Sequence, residues 1–340
     1  MRAAMIGFEA VGKKTLMEAF MGADGGSPAL GKKSVTTIRV PDKRIDKLSG
    51  MFNPEKTTYS HIELVLDDHP GRSMKEMLES VRAFEVLILV ARGFDPQGED
   101  APNPMVDVRN LMDEMILGDL IMIEKRLDFF NRTHDKGLES QVLEKCAAAL
   151  NDGRSLSTGV LDDNEKAMLG HYNFLTLKPI LIAFNVEESL LGDPELAKIE
   201  KQANDEGLTG FFLSAPIEAE IAKLPAEDQQ AFLEDIGQEE GAAARLVRGV
   251  YAAMSLISFF TVGEDEVRAW PVRRDSKAPV AAGRIHSDLQ RGFIRAETVA
   301  YEDFLVAGST AAAKRAGSFR SEGKEYVVKD GDIINFLFKV

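Results

Sequence analysis

The sequence predicts an α/β fold: a parallel sheet interrupted by a helical insertion and followed by a small α+β module. Three observations carry that expectation. Apolar strands alternate with helical segments between residues 3 and 90 and again between 180 and 213. A helix-patterned stretch runs from Val106 to Asn151. After Met254 the texture changes to short strands and turns.

The opening segment reads strand, turn, helix. Ala3-Ala4-Met5-Ile6 is apolar, Gly7 to Gly12 is a turn, and Lys13 to about Phe20 is helical. Gly22 to Ser34, rich in Gly, Ser and Lys, reads as loop. Ile62 to Leu66 forms a strand that ends in Asp67-Asp68, with Pro70-Gly71 as a turn and Ser73 to Phe84 as a helix. Val86 to Val90 is a continuous apolar run of the kind found in buried parallel strands, and Ile180 to Phe184 and Phe211 to Leu213 repeat it. Within the insertion, Met112, Met115, Ile116, Leu120, Ile123 and Leu127 follow a three-and-four spacing. Leu143 to Leu150 continues on a second helix after a turn at Thr133 to Gly137, which predicts an antiparallel pair. The last module has strand signals at Glu266–Val272, Phe293–Glu297, Tyr326–Val328 and Ile333–Phe338. These readings place a nucleotide-binding domain at residues 1–105 and 170–256, a helical insertion at 106–169 and a third domain at 257–340.

Composition narrows the function. The chain has 340 residues, a net charge of -14 and one cysteine, Cys146. An acidic surface disfavours non-specific binding to nucleic acid or anionic membranes, and nothing marks a sequence-specific DNA reader. No apolar run is long enough to span a bilayer, and a lone cysteine excludes an internal disulfide framework, so a cytoplasmic location is expected. Charge is uneven: residues 257–340 hold 13 Lys and Arg against 12 Asp and Glu, and the first 256 hold 28 against 43. A near-neutral module on an acidic body is consistent with separate domains and a separate partner surface.

Gly7-Phe8-Glu9-Ala10-Val11-Gly12-Lys13-Lys14 satisfies the phosphate-loop pattern G-x-x-x-x-G-K and departs at its last position, where Ser or Thr is expected. Glycines let backbone N–H groups turn inward around phosphate, the helix N-terminus adds its dipole, and Lys13 reaches the terminal phosphates. Gly7, Val11, Gly12, Lys13, Lys14 and Thr15 are therefore candidate nucleotide contacts. A hydroxyl at position 14 would ligate Mg²⁺, whereas an ammonium repels a cation, so the pattern argues against a bound metal. Asp68, in Asp68-His69-Pro70-Gly71, and Thr15 are the residues left to contact one, with the Gly71 N–H directed at the γ-phosphate.

Asn185-Val186-Glu187-Glu188 follows a buried strand, as a base-recognition loop does, and reads N-x-x-E. This combination resembles the YchF / Obg-like ATPase family. The resemblance extends to Val142–Cys146 and Phe174–Pro179, and is most specific in Glu266–Trp270, Gly292–Glu297 and Tyr326–Asp332, which look like that family's C-terminal TGS domain. It implies a P-loop NTPase sheet, a coiled-coil-like insertion and a β-grasp C-terminal domain. It also implies ATP or GTP at Asn185, Val186 and Glu188, with Ser214 and Ala215 as a second base-contacting loop. Ribosome or translation association through the TGS and helical domains follows as well, and the near-neutral charge of residues 257–340 on an acidic body points to basic residues there such as Arg273, Arg274 and Lys277.

The departures from that family gather at the phosphate site. Lys14 replaces the metal-ligating Ser, the Gly-rich segment after acid-x-x-Gly is missing, and Arg92 to Met105, where the family has its catalytic His, contains none. Ser34, Thr36 and Thr37 are poor substitutes for a metal-contacting Thr. No catalytic residue is assigned. Three functions stay open: a nucleotide-binding regulator with weak or lost hydrolysis, an active ATPase using Thr15 or water in place of the missing hydroxyl, and a scaffold that binds no nucleotide.

Overall fold

The computed structural model describes residues 1–22, 34–66, 71–94, 103–134 and 136–339. Twelve strands are found among them. Those of one sheet are β1 (Arg2–Ile6), β2 (Ser34–Arg39), β4 (His61–Leu66), β5 (Val86–Gly93), β6 (Ile180–Val186) and β7 (Thr209–Leu213). Those of the other are β3 (Lys56–Thr58), β8 (Leu256–Thr261), β9 (Glu266–Arg273), β10 (Phe293–Ala300), β11 (Arg320–Glu322) and β12 (Asp332–Phe338). The chain groups into two compact units, residues 1–38 with 62–250, and residues 39–61 with 251–340.

In the first unit the strand order is β2-β4-β1-β5-β6-β7, and β1 pairs in parallel with both β4 and β5. Pairing continues in parallel from β5 to β6 and from β6 to β7. The apolar runs that mark β1, β5 and β6 are buried almost throughout, as expected for strands covered on both faces. Successive strands build outward on opposite sides of β1, so the turn after β1 sits where strand order reverses, the place where open α/β sheets bind ligands.

Helix α1 (Lys13–Gly22) follows β1, and α2 (Lys43–Phe52) follows β2. Helix α3 (Met74–Ser80) starts at Ser73, whose side chain and that of Glu76 form a reciprocal cap. Helix α4 (Pro104–Thr133) is 30 residues long, capped by Asn103 with Pro104 in its first turn, and ends at His134 in the left-handed region. Helix α5 (Leu138–Asn151) packs against it. The first half of α4, through Met105, Val108, Leu111 and Met115, belongs to the core of the sheet. Its second half, through Ile123 and Phe130, forms a separate core with Leu143, Cys146 and Leu150 of α5. The predicted helical pair is therefore present, and its first helix doubles as a sheet-covering helix.

The second unit holds the sheet β11-β10-β12-β8-β9-β3, with Phe259, Ala281 and Phe336 packed on one face and Ile45, Phe260 and Phe304 on the other. Two sequence expectations differ here. Residues 39–61, assigned above to the nucleotide-binding domain, group with the C-terminal residues, because β3 pairs with β9 and Ile45 and Leu48 of α2 enter the core around Phe260. Tyr326–Val328 is not a strand: Val327 makes one isolated bridge to Lys277, while the Tyr326 hydroxyl donates to Asp332 at 2.6 Å.

Candidate functional site

The turn between β1 and α1 is shaped by three residues with positive φ, Gly7 (156°), Ala10 (58°) and Gly12 (90°). Glycine is required at both ends. A Cβ on Gly7 would stand 2.6 Å from the Val90 carbonyl oxygen, and one on Gly12 would stand 2.3 Å from Asn185 Nδ2. Val11 is buried, and Leu16 and Met17 anchor the first turn of α1 in the core. Lys13 is also buried; its Nζ donates to the carbonyls of Gly7 at 3.0 Å and Phe8 at 2.6 Å, which holds the ammonium inside the curve of the loop. Lys14 is exposed and Thr15 half-buried, so position 14 is open to solvent at the helix start.

Asn185 joins this loop to the two segments expected to contact the base. It is 2% exposed at the end of β6. Its Nδ2 donates to the Val11 carbonyl at 3.0 Å and its Oδ1 accepts from the Ala215 N–H at 2.9 Å. Ser214 is buried directly before the helix Ala215–Ile221. One amide side chain thus gathers Val11, Gly12, Ser214 and Ala215 into a single site.

Other predicted residues are placed differently. Val186, next to Asn185 on the strand, is buried against Gly93 of β5, because consecutive strand residues face opposite ways. Glu188 is exposed at the start of a short turn, Glu188–Leu190. Gly71 is exposed with φ of 78°, and nothing lies within 4 Å of where its Cβ would be. Ser34, Thr36 and Thr37 are strand residues of β2, separated from β1 by β4. Asp67, Asp68 and His69 lie outside the described residues, as do most of the Gly22–Ser34 segment and residues 95–102 of the Arg92–Met105 segment.

A buried carboxylate escaped the sequence reading. Asp119 of α4 is fully buried at the junction of the two cores and accepts from Arg82 Nη1 at 2.6 Å. It also accepts from the Leu175 and Thr176 N–H groups at 3.1 and 2.8 Å and from the Thr176 hydroxyl at 2.8 Å. The signal was present: Asp119 stands four residues from both Met115 and Ile123, on the apolar face of the stripe.

The chain is similar over its full length to known proteins. The chain is 36% identical to the Ribosome-binding ATPase YchF of Bacillus subtilis, covering 99% of each chain. It is 33% identical to the Escherichia coli O157:H7 protein of the same name, covering 100% of this chain and 99% of that one. The chain belongs to the YchF family. Residues 256–339 match the YchF-GTPase C-terminal family model, described as a protein of unknown function. The solved structure of the Schizosaccharomyces pombe YchF GTPase superposes with a TM-score of 0.85 at 26% identity, covering 99% of this chain and 97% of that one. YchF membership agrees with the parallel-stranded phosphate-loop sheet and the separate C-terminal module described above.

Proposed function

We propose that this YchF protein is a nucleotide-binding, ribosome-associated regulator whose hydrolysis is weak or lost, and whose nucleotide binding does not need Mg²⁺. The observation that carries the reading is a pair of lysines at the start of one helix: Lys13 is held inside the phosphate loop, and Lys14, exposed, occupies the position where a metal-ligating hydroxyl is expected. The cradle fits a polyphosphate. Its glycines leave no room for a Cβ, its N–H groups sit at the start of α1, and Asn185 fixes it to Ala215. It fits Mg²⁺ poorly, because an ammonium supplies no lone pair and raises the local positive potential.

When bound, Mg²⁺ would neutralise charge on the β- and γ-phosphates; here the Lys13 and Lys14 ammonium groups take over part of that electrostatic role. They stabilise bound phosphate without positioning an attacking water, so binding persists while turnover falls. The relatives align over 362 positions against the 340 residues of this chain, so at least 22 of those positions have no counterpart here. The nucleotide contacts in this reading are Gly7, Val11, Gly12, Lys13, Lys14, Ser214 and Ala215, with Asn185 positioning them and Glu188 at the rim. Without a lysine stem over the base, ATP and GTP should bind within a hundredfold of each other, about 2.7 kcal/mol.

Ribosome association rests on the names of the relatives and on basic residues of the C-terminal module. Arg273 and Arg274 are exposed on the C-terminal module, while Lys277 is paired with Glu325 at 2.5 Å. Phosphate release measured beside the Bacillus subtilis relative tests the hydrolysis claim: turnover at least a hundredfold slower supports it, and equal turnover restores the active-ATPase reading. Loss of ribosome co-sedimentation on reversing the charges of Arg273 and Arg274 supports the second claim, and unchanged co-sedimentation removes those residues from it.

A further inference from the structure

The C-terminal sheet is incompletely paired at its centre. Strands β8 and β12 are parallel neighbours whose register passes through Ile333 opposite Phe260. β8 ends one residue later at Thr261, but β12 runs on to Phe338. From Ile334 onward β12 pairs with β10 on one side and, among the described residues, with no strand on the other. Alternate backbone N–H and C=O groups of that stretch point to the open side. A cavity of about 520 Å³ lies along it, between Thr261 and Trp270 on one wall and Asn335 and Phe336 on the other.

The slot has two chemically different faces. Ile334 and Phe336 belong to the core that Trp270, Ile285 and Leu289 complete, so side chains pointing that way meet an apolar wall. Asn335 points the opposite way. Its Nδ2 donates to Glu297 at 3.2 Å, and Lys314 Nζ donates to the same carboxylate at 3.5 Å, which makes a polar wall. Trp270 is fixed rather than loose. Its Nε1 donates to the Thr261 hydroxyl at 3.0 Å, and the Arg268 guanidinium lies 3.9 Å over its ring.

We propose that this slot is a strand-addition site, taking an extended segment of a partner protein in line with β8, with alternating apolar and polar residues. An unpaired strand flank supplies main-chain hydrogen bonds to any extended chain, and the pockets beside it select side chains at every second position. The five residues from Ile334 to Phe338 offer a track of roughly 17 Å at strand rise. Apolar residues of the incoming segment would face Trp270, Leu289 and Phe336, and polar ones would face Asn335 and Lys314. The site lies wholly within the C-terminal unit, so it stands or falls independently of the nucleotide reading.

Trp270 is the only tryptophan in the chain, which makes its emission a direct reporter of the slot. The probe is the capped peptide acetyl-Lys-Val-Thr-Val-Thr-Val-Lys-amide, titrated into the full-length protein. A saturable change in Trp270 emission is expected, together with at least tenfold slower amide exchange within residues 334–338. Methylating alternate backbone nitrogens of the peptide, in the register that faces β12, should weaken binding at least tenfold. A peptide of the same composition with its valines grouped together should weaken it similarly. Phe338→Ala, at a half-exposed position, should weaken it at least fivefold while leaving the urea unfolding midpoint close to that of the parent. No saturable change, exchange that stays the same with peptide, or binding indifferent to methylation in both registers would each overturn the proposal.

Discussion

Asn185 and Val11 lie 174 residues apart and share a hydrogen bond of 3.0 Å that ties the end of β6 to the phosphate loop. The same side chain accepts from Ala215, so both ends of one buried amide are committed to holding the site together. Replacing Asn185 by Asp keeps the shape and substitutes an oxygen for the donor that Val11 requires. The expected outcome is a stability loss of about 1–3 kcal/mol, from an unpaired buried carbonyl facing a carboxylate. ATP affinity should fall at least tenfold with it. Urea unfolding and nucleotide titration check the two effects, and a variant indistinguishable from the parent in both would remove Asn185 from its positioning role.

Asp119 holds three segments that are distant in sequence: α4, the turn after α3, and the approach to β6. Asp119→Ala leaves Arg82 and two backbone N–H groups without their shared acceptor. Breaking a buried pair on one side costs about 3–5 kcal/mol. Denaturant unfolding should show a loss of that order, while Glu195→Ala, which removes an exposed pair with Lys198, should change stability little.

Cys146 is fully buried between α4 and α5, and burial, reinforced by the Glu165 carboxylate, pushes its thiol up to about 11. The reactive thiolate is therefore scarce at pH 8, where an exposed thiol is partly ionised. Alkylation by iodoacetamide at pH 8 should run at least a hundredfold slower in the folded protein than in denaturant, as followed by mass spectrometry. Raising the pH toward the folded value should speed it. Equal rates in the folded and denatured protein would contradict the buried placement of the helical pair.

Much of the fold was legible because its signals are local. The glycines and lysine of Gly7–Lys13 announce a phosphate loop, and the spacing of Met115, Leu120 and Ile123 announces a helix. What stayed hidden depends on distant pairing. Nothing within Lys56–Thr58 tells that this short strand joins β9 and takes residues 39–61 into the second unit. Tyr326–Val328 has β-branched and aromatic residues in a row, yet Tyr326 is spent on Asp332 and the backbone makes only the bridge at Val327. At the site, Asn185 was recognised as a base-loop residue, but its bond to Val11 could not be read from spacing. Nor could spacing tell that the Val186 side chain packs against Gly93 of the neighbouring strand.

The central claim is that Lys13 and Lys14 together hold nucleotide phosphates without a metal ion. ATP affinity measured for the same full-length protein in Mg²⁺ and in EDTA tests it most directly. The account predicts affinities within about threefold of each other, a difference below about 0.7 kcal/mol, with Lys14→Ser restoring a preference for Mg²⁺. Affinity that collapses in EDTA for the unmodified protein would contradict it.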